Sequence, residues 1–69
     1  MKVHADITGT VCQIDVQPGQ AVQEGDTVLI VESMKMEIPV AAPASGVVKG
    51  IFVAAGDAVQ DDTIVMEIE

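Results

Sequence analysis

The chain of 69 residues carries eleven acidic side chains against three lysines, a formal net charge of −8, and although 49% of it is apolar it has one phenylalanine and no tyrosine or tryptophan. So negative a surface repels phosphate backbones and anionic headgroups, which argues against nucleic-acid and membrane-surface partners, and no apolar run approaches the roughly 18 residues that span a bilayer. A chain this short forms one domain over residues 1–69, burying only about 60% of its unfolded surface, with a thin core of valine, isoleucine, leucine, alanine and methionine. β-Branched side chains suit a pleated surface, so the composition favours strands.

The elements read as follows from the N-terminus. Met-Lys-Val-His-Ala-Asp lacks the apolar segment of a secretory signal. A first strand is predicted near 3–7, with His4 facing solvent rather than acting as an acid–base group. A second follows near 10–16 and contains Cys12, the lone cysteine. It cannot form an internal disulfide and reads as a small strand residue in a reducing compartment, which points to a cytoplasmic location. Pro18-Gly19 and Glu24-Gly25-Asp26 mark turns on either side of a very short strand at 21–22. Strands are then predicted near 27–33 and 36–41. Ala44-Ser45-Gly46 turns the chain into a strand near 47–53. Gly56-Asp57, a short strand at 58–59 and a final strand near 63–68 complete it, with Asp57, Asp61 and Asp62 as a charged loop surface. Nowhere does a helical period appear.

The sequence is also written twice. Residues 3–23, "VHADITGTVCQIDVQPGQAVQ", laid over residues 40–60, "VAAPASGVVKGIFVAAGDAVQ", agree at ten of twenty-one positions. Beyond them Asp26-Thr27 matches Asp62-Thr63 only after a slip of one, so the second copy reads as one residue short. Two copies are too few for a solenoid. They read instead as the halves of one sandwich, each too small to bury its own apolar face. The fold expected is all-β, a flattened barrel or sandwich of two antiparallel sheets with pseudo-two-fold symmetry.

Between the copies lies "VLIVESMKMEIPV". With Met34-Lys35 as a two-residue loop, Ser33 pairs with Met36, Glu32 with Glu37 and Val31 with Ile38. An ordinary tight hairpin would place Asn-Gly or Asp-Gly at the tip, because both central positions need positive φ. Here a methionine and a lysine take that conformation at a cost of order 1 kcal/mol each relative to glycine. Glu32 opposite Glu37 sets like charges across the ladder, and methionine on a tip contributes nothing to a core. Local rules broken three times in six residues mark a working site. An exposed amine on a rigid tip suits acylation by another enzyme, with thioether flanks for that enzyme to pack against. No Ser-His-Asp set and no clustered metal ligands stand in the sequence, so an independent enzyme is the poorest reading.

"ESMKM" resembles the Glu-Ala/Ser-Met-Lys-Met signature of biotinyl domains, the biotin carboxyl carriers of biotin-dependent carboxylases. The flanks "GTVCQIDVQPGQAVQEGDTV" and "EIPVAAPASGVVKGIFVAAGDAV" resemble the family too, so the likeness covers essentially the whole chain. It implies two antiparallel sheets with the modified lysine on a hairpin tip. By position, Lys35 would be amide-linked to biotin, Met34 and Met36 would be recognition flanks, and Glu32 and Ser33 would complete the motif. The implied partners are a biotin protein ligase, which activates biotin as an adenylate, and the biotin carboxylase and carboxyltransferase of an enzyme such as acetyl-CoA carboxylase. The carboxybiotin arm would shuttle between those two, the carrier itself being non-catalytic and monomeric. The sequence departs from the family at Asp61-Asp62, which replaces a Gly-containing turn. It also lacks an Ala/Pro-rich linker and the inserted loop of some acetyl-CoA carboxylase carriers, and so resembles the minimal form of the domain, stand-alone or cut from a longer chain. Two alternatives remain beside it: a lipoyl carrier domain, whose lysine usually follows an acidic residue, and an unmodified hairpin interaction module of the kind found in efflux adaptors.

Overall fold

The computed structural model describes residues 1–69. Eight strands run in the order β1 (Lys2–His4), β2 (Gly9–Ile14), β3 (Ala21–Val22), β4 (Thr27–Ser33), β5 (Met36–Ala41), β6 (Gly46–Ile51), β7 (Ala58–Val59) and β8 (Ile64–Ile68). They form two four-stranded sheets, β1-β8-β6-β3 and β5-β4-β2-β7, and every pairing is antiparallel. The expected two-sheet architecture is what forms.

Each strand turns its β-branched or aliphatic alternate positions inward. Val11 from β2, Leu29 and Val31 from β4, Val48 from β6 and Val65, Met66 and Ile68 from β8 meet in a core of fifteen buried residues, all hydrophobic. Burying each of the larger side chains stabilises the fold by about 1.5–3 kcal/mol before entropy is counted. Pro39 sits in β5, an edge strand of its sheet, where a missing N–H does least harm.

The strands differ from expectation mainly at their ends. β1 stops at His4, after a bulge between Val3 and His4, and Ala5 turns its N–H to the Thr63 carbonyl at 2.8 Å. Ile7, predicted within a strand, instead packs from a loop against the core. β2 and β6 end at Ile14 and Ile51, because the chain then crosses from one sheet toward the other.

The two-fold repeat is exact where the sequence reads a slip. Asp62 N–H donates to Ala5 O at 2.9 Å just as Gly25 N–H donates to Ala42 O at 2.9 Å, and Thr63 N–H reaches Gln60 O as Asp26 N–H reaches Gln23 O. The Thr63 hydroxyl accepts from Gln60 N–H as the Asp26 carboxylate accepts from Gln23 N–H. So Thr63 is the mate of Asp26, the offset of 37 holds throughout, and no residue is missing. Val28, Leu29 and Val31 then correspond to Val65, Met66 and Ile68, buried alike. Identity of residue type at Asp26-Thr27 and Asp62-Thr63 misleads, because Asp and Thr accept the same turn hydrogen bond and can exchange there. Asp62 takes the left-handed conformation of its mate, φ 75° against 92° for Gly25.

Candidate functional site

The β4–β5 hairpin carries the motif. Its register pairs Ser33 with Met36, Glu32 with Glu37 and Val31 with Ile38, leaving Met34-Lys35 as the two-residue loop, as the sequence predicts. Both loop residues are left-handed, with φ of 53° at Met34 and 66° at Lys35. That geometry matches the right-handed twist of the flanking strands, which is why primed turns close such hairpins. It turns the Lys35 side chain into solvent at the end of a molecule 31 Å long and about 19 Å across.

Strand alternation divides the hairpin into two sides. Val31 and Ile38 point toward the core, so Ser33 and Met36, two residues on, share their side but lie beyond the core's edge. Met36 is 60% exposed there, and Met34 at the tip is 92% exposed. Glu32 and Glu37 face outward, both exposed. The motif therefore presents a lysine between two bare thioethers, with Ser33 on the side of Met36 and the Glu32 carboxylate, beside that of Glu37, on the outer side.

Cys12 belongs to this neighbourhood, which the sequence does not reveal. A bulge between Val11 and Gln13 leaves Cys12 without a cross-strand partner, exposed, with its thiol directed at Ile30 O at 3.4 Å. Partial desolvation by the strand surface, followed by the charges of Glu37 and Glu32, pushes the thiol above its ordinary range. Its mate Lys49 occupies the corresponding bulge of β6, between Val48 and Gly50. His4 lies exposed on β1, in the other sheet from the hairpin. Asp57, read as loop charge, has a structural task as well: its carboxylate accepts from Ala54 N–H at 2.8 Å and closes a turn.

The far end of the molecule is made by the chain termini. Glu69 and Val47 exchange hydrogen bonds of 2.8 and 2.9 Å where β6 leaves the Ala42–Ser45 crossover, at the opposite end of β5 from Met36. Met1 and Ile68 pair beside them.

No pocket opens on the surface, and no three His, Cys, Asp or Glu side chains gather where they could share a metal ion. Lys35 itself is exposed, so a group attached there is open to solvent. A covalent amide arm, needing one accessible amine and no cavity, fits these residues.

Residues 1–68 match the model of a family described as biotin-requiring enzyme. The chain belongs to the biotin/lipoyl attachment family. Over 97% of its length it is 43% identical to the biotin-dependent acyl-coenzyme A carboxylase alpha3 subunit of Mycobacterium leprae, of which it spans only 11%. It is 38% identical, over 96% of its length, to the biotinylated protein TB7.3 homolog of the same organism, and covers 93% of that protein. Among solved structures, the urea carboxylase of Kluyveromyces lactis contains a region superposing with a TM-score of 0.94 at 33% identity, covering the whole chain and 6% of that protein. A region similar to this chain thus makes up nearly the whole of one relative and a small part of others.

Proposed function

We propose that residues 1–69 are a biotin carboxyl carrier domain and that Lys35 is its attachment site. The observation that supports this most strongly is the tip itself: a fully presented lysine in a left-handed loop, between methionines 92% and 60% exposed. No His stands on this sheet to serve as a base for the Lys35 amine, so a biotin protein ligase takes its proton. Lys35 Nζ then attacks the acyl carbon of biotinyl adenylate, the C–N amide bond forms, and the acyl–phosphate bond breaks with AMP leaving. One positive charge is lost, taking the formal balance from −8 to −9.

When bound, biotin supplies a ring nitrogen that accepts and releases a carboxyl group. This chain's residues present it. The rigid hairpin holds the attachment point clear of the body, Met34 and Met36 offer apolar contact to the enzymes that visit the tip, and Glu32 and Ser33 complete the surface they read. The carrier is non-catalytic and raises the effective concentration of the arm at two successive sites, a biotin carboxylase and a carboxyltransferase. An acyl-CoA carboxylase is the assembly this reading favours, given the likeness to an acyl-coenzyme A carboxylase subunit. The domain works in the cytoplasm as a monomer.

The test is intact mass with peptide mapping after incubation with biotin, ATP and a biotin protein ligase. One biotinyl group on Lys35, and none on a folded Lys35→Arg chain, is the expected outcome. A folded wild-type chain that stays unmodified, or that takes lipoate instead, defeats the proposal.

A further inference from the structure

The sulfur atoms of the chain stand in Cys12 and in four methionines, and the fold divides the thioethers sharply. Met66 is fully buried in β8. Its mate across the 37-residue symmetry is Leu29, fully buried as well, so where packing alone decides, leucine and methionine serve alike. On the Lys35 hairpin the choice is different. Both apolar flanks of the lysine are methionine, Met34 92% and Met36 60% exposed. Leucine would offer comparable apolar area. What methionine adds is a sulfur lone pair, through which one oxygen atom converts the side chain into a polar, chiral sulfoxide.

The structure confines the consequence of that reaction to the tip. Neither Met34 nor Met36 belongs to the fifteen-residue core, so oxygen on either sulfur disturbs nothing that holds the sheets together. Met66, whose oxidation would open the core, is shielded from solvent. Met1 is exposed but is held by Ile68 at the opposite end of the molecule. A sulfoxide is a strong acceptor, and in an apolar contact it must give up its water without a partner. Oxidation of both flanks therefore removes the apolar surface beside Lys35 while leaving the amine and the fold in place.

We propose that Met34 and Met36 are a redox modification site: a peroxide oxidises both thioethers to sulfoxides, and the biotin carboxylase that loads the arm accepts the modified tip poorly. The inference rests on the carrier reading above. At each sulfur a lone pair attacks the peroxide, the O–O bond breaks and an S–O bond forms. With hydrogen peroxide, water leaves; sulfur is oxidised by two electrons and the peroxide is reduced by two. A thiol-dependent sulfoxide reductase reverses the step, its dithiol becoming a disulfide as water is released. A carrier with this site stops accepting carboxyl groups under oxidant and resumes when the thioethers are restored.

The test uses a chain carrying Cys12→Ser, so that no thiol competes for oxidant, and a second that also carries Met34→Leu and Met36→Leu. Biotin is itself a thioether, so each chain is treated with hydrogen peroxide first, then biotinylated by the ligase and mapped by mass. Each oxidised chain is compared only with its own untreated form, as a substrate of purified biotin carboxylase with ATP and bicarbonate. The methionine chain should gain one oxygen on each of Met34 and Met36 and none on Met66, and should keep its melting temperature within about 3 °C. Its kcat/KM as carrier should fall about tenfold. Sulfoxide reductases for both epimers, with dithiothreitol, should restore it. The leucine chain, which retains Met1 and Met66, should change less than about twofold under the same treatment. A loss under about threefold in the methionine chain, or an equal loss in the leucine chain, overturns the proposal. So does a loss that the reductases do not repair, or an oxidised chain that the ligase refuses, which places the effect at attachment instead. An untreated chain that takes no biotin is a separate failure, that of the carrier reading, and appears before any oxidant is added.

Discussion

Alanine at Gly9 tests whether β2 holds the Lys35 hairpin in place. A Cβ built there overlaps the carbonyl oxygen of Glu32 and stands 2.8 Å from Val31 Cγ1. Neither neighbour can yield cheaply. Val31 is fully buried, and Glu32 is paired with Thr10 on one side and Glu37 on the other. Relief therefore requires moving backbone at the base of the hairpin, at about 2–3 kcal/mol, the upper part of the range for overpacking. At about 2.1 cal/mol/K per residue, 69 residues unfold with an entropy near 145 cal/mol/K, so each kcal/mol shifts Tm by about 7 °C. Gly9→Ala should then melt about 15–20 °C lower. The mate position repeats the test. At Gly46 an added Cβ would stand 2.6 Å from Glu69 O and from Ile68 Cγ2, an equally close approach, and Ile68 is buried as Val31 is. Gly46→Ala should therefore cost a similar amount, about 2–3 kcal/mol. Thermal unfolding followed by far-UV circular dichroism measures both. The reasoning fails if either variant melts within 3 °C of wild type.

Asp62 holds a left-handed φ of 75° where its mate is glycine, so Asp62→Gly should relieve about 0.5 kcal/mol and raise Tm by about 3 °C; a lower Tm in the same melt would count against the assignment of mates. The Cys12 thiol is raised first by desolvation and then by Glu37 and Glu32. Its alkylation rate should therefore rise with pH later than that of free cysteine, and Glu32→Gln with Glu37→Gln should move the profile to lower pH, since losing nearby negative charge favours the thiolate. An unmoved profile would show that those charges do not reach the thiol. Replacing both Met34 and Met36 by alanine should leave Tm within about 3 °C, because neither side chain is buried, yet slow carboxyl transfer with purified partner enzymes; an unchanged rate would remove them as recognition flanks.

The hairpin was legible because its signals were local. Apolar alternation, the two-residue gap and the unsuitable turn residues Met34 and Lys35 fix its register without reference to the rest of the chain. The sheets were legible because a repeat of 37 cannot be two independent domains in 69 residues. What escaped depended on backbone detail that alternation does not encode. The bulge at Cys12 breaks the period of two, so nothing in "TVCQI" says that Cys12 belongs beside Glu32 and Glu37. The apparent slip at Asp62 arose from matching residue types, whereas the chain conserves hydrogen-bond roles: an acceptor at 26 and 63, a left-handed residue at 25 and 62.

The same symmetry explains why one tip is available for attachment. Applied to the β4–β5 hairpin, the offset of 37 carries Val31 to Ile68 and Val40 to Val3, so the mate of the hairpin is the pairing of β8 with β1, with the chain ends where its loop would be. Met1 and Ile68 exchange hydrogen bonds of 2.6 and 2.7 Å there, holding the open end much as a turn would. A two-fold scaffold thus has two equivalent hairpin positions at opposite ends. One presents Lys35, and at the other β1 and β8 are joined by hydrogen bonds in place of a loop. The left-handed strain at Met34 and Lys35 stays outside the fifteen-residue core, which is why a tip chosen for what it presents is compatible with so small a fold.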